Sequence, residues 1–182
     1  MLQRDLHSTL REESLATRQR IADLVRPLDG ARLNEHPEPK GWSVGEVIEH
    51  LCVSEEAYAA SLGALLRGAR PDAGAPAREW KPTFIGGFLA NLLRKPRPVK
   101  TRPVFTPGAT PRNGALEALL SSEQAFVKRM DDAASLDWGV LKVGSPALPR
   151  WAPKFNLGDV FRIHVVHVTR HAGQIERVIG KL

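Results

Sequence analysis

The sequence predicts an all-α fold, a bundle of four long amphipathic helices, and three observations carry that expectation. Apolar residues recur at three- and four-residue intervals in four separate stretches, the period of a helix with one buried face. No proline falls inside those stretches; all lie between them. Strand signal is almost absent: the region Val99 to Phe105 could be extended, and nothing else asks for a strand. At 182 residues, 42% hydrophobic and 25% charged, the chain reads as one globular domain over 1–182.

Residues 2–26 form the first predicted helix, with Leu6, Leu10, Ile21, Leu24 and Val25 at helical spacing and Pro27 and Gly30 beyond its end. His7 lies on its surface. LDGARLNEHPEPKG, 28–41, is a connector, and His36 in it has no assigned role. The second helix opens at Ser43, with Glu46 three residues on in the capping-box position, and runs to about Gly68. His50 shares a largely apolar arc with Val47, Val53, Ser54, Ala57 and Leu65. Cys52 points about 200° away from His50, so the two cannot pair as nucleophile and base; it reads as a small core or interface residue.

Residues 69–112 are irregular. Within them PTFIGGFLANLLRK is a short amphipathic helix carrying Phe84, Phe88, Leu89, Leu92 and Leu93, with a double glycine that weakens its first turn. A lid over the bundle is the reading preferred to a surface-seeking membrane helix. RKPRPVKTRPVF after it should be extended, since proline blocks helix and biases its predecessor to β or polyproline geometry. The third helix spans about Asn113–Ala134, with Leu116, Leu119, Leu120, Phe126, Val127 and Met130 in register. A loop over 135–156 holds Trp138 and Trp151. Asn156 then caps the last helix, with Asp159 in its first turn, from about Leu157 to the C-terminal residue.

Charge narrows the function classes. The net charge is +6, and seven of the 26 basic residues lie between Trp80 and Leu116 (Lys81, Arg94, Lys95, Arg97, Lys100, Arg102, Arg112) with no acid among them. The remaining 19 face 20 acidic residues, so the excess belongs to one segment: a solvated loop, or a patch attracting an anionic co-substrate or partner. Neither a recognition helix nor interleaved aromatics accompanies it, and no specific nucleic-acid partner is expected. No apolar run approaches the roughly 20 residues of a membrane span, so no membrane partner is expected. The N-terminal residues carry charges where a signal peptide needs an apolar centre, which points to the cytoplasm. A lone cysteine excludes an internal disulfide framework and a cysteine-built zinc site.

Three of the six histidines sit in the last helix. His167 and His171 lie one turn apart on a face shared with Val160, Val168, Ile175 and Val178, and His164 a turn earlier. Arg162, Glu176 and Arg177 fall on other sides. Imidazoles on a buried stripe need partners, and two histidines at i and i+4 can ligate one ion. If the second and last helices face each other, His50 meets this pair across the core, leaving room for water or substrate as in catalytic metal sites. The plain alternative is three hydrogen-bonded core histidines.

GWSVGEVIEHL resembles the W-S-x-x-E-x-x-x-H-L signature of the DinB/YfiT-like superfamily, and HVVHVTRHAGQIERV, roughly 115 residues on, resembles its H-x-x-x-H-x-G-Q-I motif. The resemblance implies an up-down-down-up four-helix bundle of DinB/YfiT-like type, here with an irregular basic insertion between its second and third helices. It also implies a divalent metal, commonly zinc or nickel, on His50, His167 and His171. The superfamily includes thiol-dependent transferases, maleylpyruvate isomerases and metal-dependent hydrolases, and dimers are common. Arg170 stands where many relatives have a second histidine.

The expected function is a metal-dependent hydrolase or thiol-dependent S-transferase acting on a small-molecule substrate, with water or a low-molecular-weight thiol as the activated group. The alternative is a non-catalytic metal-binding stress-response or interaction module. Around the three ligands, His164 is a pocket-lining neighbour and Tyr58 and Ser54 line the pocket or pack. Gln174, at the edge of the ligand face, serves helix packing or a hydrogen bond behind a ligand, and Trp42 staples the second helix. Glu46 has two readings, general base or capping partner of Ser43, and the cap explains it fully. A homodimer is open, through the small-residue face of Val165, Val166, Thr169 and Gly173; that face could equally pack within the chain.

Overall fold

Apolar spacing becomes helix at each expected stretch. In the computed structural model, which describes residues 1–39, 41–95, 100–108, 110–149 and 151–182, the helices are α1 (Gln3–Val25), α2 (Gly30–Asn34), α3 (Val44–Gly68), α4 (Phe84–Leu93), α5 (Ala115–Asp132) and α6 (Leu157–Ile179). Single 3₁₀ turns occupy Ala75–Ala77 and Pro103–Phe105. One two-stranded antiparallel ladder pairs β1 (Lys142–Val143) with β2 (Phe155–Asn156).

Named contacts fix the helix directions. Gln3 donates to the carbonyls of Ala134 and Leu136 while Arg18 donates to that of Leu120, so α1 and α5 are antiparallel. Thr17 meets Thr169 and Arg20 meets Glu176, so α1 and α6 are parallel. Cys52 reaches the Ala115 carbonyl and Glu55 pairs with Arg129, so α3 runs with α5 and against α6. The result is an all-α, up-down-down-up bundle. Its core has two lobes, one around Phe126, Trp138 and Phe161, the other around Ile21, Ile48, Leu119 and Ile175.

Two capping boxes set where the site-bearing helices begin. Ser43 and Glu46 exchange backbone and side-chain bonds at the start of α3, and Asn156 and Asp159 do so at α6. Asp159 also clasps α4: its Oδ2 accepts from the Thr83 amide at 3.1 Å and the Thr83 hydroxyl at 2.6 Å. This explains the first glycine of the pair in α4. A Cβ on Gly86 would stand 2.1 Å from the Asp159 carboxyl carbon, so the glycine is demanded by close approach and the helix forms through it. At the other end of α4, Arg170 donates to the Leu93 carbonyl, one that a helix end leaves unpaired, and to the Lys95 carbonyl just beyond it. With both ends tied, α4 packs along α6 as the expected lid.

Several expectations need revision. The 28–41 connector contains α2, capped by the Asp29 side chain on the Arg32 amide. The extended run over 94–105 is interrupted at Pro103–Phe105, where the fixed φ of proline suits the first position of a 3₁₀ turn. Residues 96–99 of that run, Arg97 and Val99 included, lie outside the described residues. The only ladder among the described residues falls in the 135–156 loop, not near Phe105. Thr169 contacts Thr17, so α1 of the same chain covers part of the small-residue face. No helix among the described residues is long and apolar enough to cross a membrane.

Candidate metal centre

His50 on α3 and His167 and His171 on α6 come together because the two helices run antiparallel with their histidine-bearing faces opposed. His167 Nε2 lies 3.1 Å from His50 Nε2 and 3.1 Å from His171 Nε2. His50 and His171 are only 3% and 7% exposed. Candidate ligand atoms of all three residues lie within 4.8 Å of one another.

The outer nitrogens decide what the inner ones can do. His50 Nδ1 lies 2.6 Å from the Phe105 carbonyl oxygen, which can only accept, so Nδ1 carries the hydrogen and Nε2 a bare lone pair. His171 Nδ1 stands in the same relation to Gln174 Oε1 at 2.8 Å. His167 can offer its Nε2 hydrogen to one of these two lone pairs, never both. Protonation does not relieve the conflict, because burial lowers all three basicities. His171 is pushed down to about 3, by burial and then the neighbouring His50, and His167 is held well below the ordinary range. Three neutral imidazoles with converging lone pairs are the donor set a divalent transition ion takes. Tetrahedral bonds of about 2.0–2.1 Å put ligand nitrogens roughly 3.4 Å apart, close to the spacing here.

The triad opens into a cavity of about 1140 Å³. Its apolar wall includes Leu62, Ile85, Leu89, Phe126, Phe155 and Val160. Tyr58 also lines it, stacked on Phe105, with its hydroxyl donating to Ser145 Oγ at 3.0 Å; burial raises its pKa. Ser54, one turn beyond His50, lines it too, and its buried hydroxyl has no hydrogen-bond partner among the described residues. His164 is set apart from the triad. Its Nε2 lies 3.0 Å from Glu123 Oε1 and its ring stacks on Phe126, while the ring remains part of the cavity wall.

Glu46 is not brought to this site. Its carboxylate accepts from the Ser43 amide and faces His36 at 3.6 Å, the capping arrangement, and it is not among the residues that line the cavity. Trp42 does more than staple a helix: its ring lies 5.0 Å from that of His50 and forms part of the wall. Arg177, expected on another side of α6, lines the cavity and also a second groove, where its Nη1 lies over Gly173. Glu123 was not singled out in the sequence, although a signal existed. It is the carboxylate on the stripe Leu116, Leu119, Leu120, Phe126 and Val127, and it is 2% exposed. The Phe105 carbonyl left no signal, being backbone.

A family model described as DinB superfamily matches residues 15–175, a span that contains all three histidines. No curated protein and no solved structure matches the chain.

Proposed function

Because this chain belongs to the DinB superfamily, we propose that it is a metal-dependent enzyme. In this reading His50, His167 and His171 hold a divalent ion, zinc or nickel, and a small molecule is hydrolysed or joined to a low-molecular-weight thiol. The convergence of three Nε2 atoms, two of them stripped of hydrogen by Phe105 and Gln174, carries the reading. When bound, the ion lowers the pKa of a water or thiol so that it serves as a nucleophile near neutral pH.

The chain's own residues provide the setting. The Phe105 carbonyl and Gln174 fix the ring orientations of His50 and His171. Ser54 lines the cavity beside His50, with its hydroxyl oxygen buried. His164, oriented by buried Glu123, presents an imidazole edge on the same wall. Cys52 is not the nucleophile. It is buried away from the cavity and burial raises its thiol to about 11, so a reacting thiol has to be a co-substrate.

The test is metal analysis of protein purified without a polyhistidine tag, followed by melting with added Zn²⁺ or Ni²⁺. About one ion per chain and a higher melting temperature are expected. A chain that takes up no metal and gains no stability sinks the proposal. Conjugation of glutathione to 1-chloro-2,4-dinitrobenzene, set against hydrolysis of 4-nitrophenyl acetate, then separates transferase from hydrolase, and loaded protein inert in both assays favours the non-catalytic module.

A further inference from the structure

The cavity changes character along α6. At its N-terminal end Val160 and Ile163 face an apolar wall of Leu62, Ile85, Leu89 and Phe126. Beside and past the histidines α6 contributes Arg170 and Arg177, the turn after it Lys181, and the loop that carries Phe105 adds Lys100 and Arg102. Among the described residues only two acids line the same space, and both are engaged, Glu38 by Lys181 and Glu55 by Arg129. Lys100, Arg102 and Arg177 form no ion pair among the described residues. Arg170 is held at the end of α4 by the Leu93 and Lys95 carbonyls.

The helix also supplies a ruler. Val160 precedes His167 by seven residues, about 10 Å of helix, and Arg177 follows His171 by six, about 9 Å. A ligand using both ends is apolar on one side of the histidines and charged on the other.

We propose that the cavity takes an amphiphilic oxyanion, with an apolar chain or ring system along α6 towards Val160 and a carboxylate or phosphate head at Arg177 and Arg102. Its reactive group then lies at the three histidines, a placement that rests on the metal reading above. Neutral molecules of the same apolar body lose the head-group contacts. Cationic ones meet repulsion.

The experiment compares decanoate, decyl phosphate, decanol and decyltrimethylammonium as displacers of fluorescent 1-anilinonaphthalene-8-sulfonate, on zinc-treated and EDTA-treated protein. The anions are expected to bind at least about tenfold more tightly than decanol, in both forms, with the gap narrowing at about 0.5 M salt. The stronger of decanoate and decyl phosphate identifies the head group. Arg102→Ala with Arg177→Ala, both on exposed side chains, is expected to reduce anion affinity to that of decanol and leave decanol unchanged. Leu89→Asn is expected to weaken anion and alcohol alike. Equal affinities for decanoate, decyl phosphate and decanol overturn the proposal, as does a preference untouched by the arginine substitutions, or a Leu89→Asn variant that binds all four as before. Protein that takes no metal yet keeps the preference refutes the metal reading alone; protein that loads zinc without the preference refutes this one alone.

Discussion

His50 and His167, 117 residues apart in sequence and on antiparallel helices, bring their Nε2 atoms to 3.1 Å, and His50 has no hydrogen on that nitrogen to give. The same holds for His171 on the other side of His167. Stability of the protein should therefore respond strongly to a cation. Saturating Zn²⁺ or Ni²⁺, at about a hundred times its dissociation constant, is expected to add about 2.7 kcal/mol. His50→Ala, His167→Ala and His171→Ala should each abolish the gain in a thermal-shift measurement. A His171→Ala protein stabilised as much as the parent would rule out that ligand.

Gln174→Leu tests the support behind the site. The substitution removes the acceptor that keeps hydrogen on His171 Nδ1. Metal affinity is expected to fall by about 10–100-fold with the stoichiometry unchanged, as read by competition with a chromophoric chelator. An unaltered affinity would mean that helix packing alone orients His171.

Metal-free protein should lose stability as pH falls. His171 holds a folded pKa of about 3 against an unfolded value of about 6.5, so between these the unfolded chain binds a proton that the folded chain refuses. Folding is thereby weakened by up to about 1.4 kcal/mol per pH unit for that residue, and the lowered His50 and His167 act in the same direction. Above about pH 6.5 this contribution is flat. Urea melts of EDTA-treated protein from about pH 7.5 to about pH 5 measure it. Constant stability across that interval would contradict burial of neutral imidazoles.

Asp159→Ala should loosen α4. The carboxylate accepts from the Thr83 amide, the Thr83 hydroxyl and the Asn156 amide, so its loss opens the clasp and the α6 cap together. Global stability is expected to drop by about 1–3 kcal/mol. Hydrogen exchange should speed up most in residues 84–93. Exchange rising uniformly over the chain would instead mean that Asp159 serves α6 alone.

How far the sequence discloses the site follows from what each contact is made of. Ser43 with Glu46 and Asn156 with Asp159 are local pairs, legible as spacing, and the structure forms both. The histidines share their arcs by helix periodicity, and only the bundle's directions were needed to oppose them. The Phe105 carbonyl is invisible because every residue has one, and it reaches His50 through a proline-rich turn that side-chain patterns do not fix. Arg177 lies off the histidine arc of α6 and still lines the cavity, which the arc alone does not disclose. Gly86 reads as a weak helix former until the carboxylate that needs its space is known.

The parallel course of α1 and α6 has a practical side. Met1 hydrogen-bonds to Trp80, whose indole covers Gly158 at the start of α6, while Lys181 forms part of the cavity wall. The first and last residues therefore stand a whole helix apart, about 35 Å for the 23 residues of α6. Polyhistidine appended after Leu182 would hang at the lip of the histidine site and compete for its ion, whereas the same appendage before Met1 would sit at the far end of the molecule. Affinity handles belong at the N-terminus.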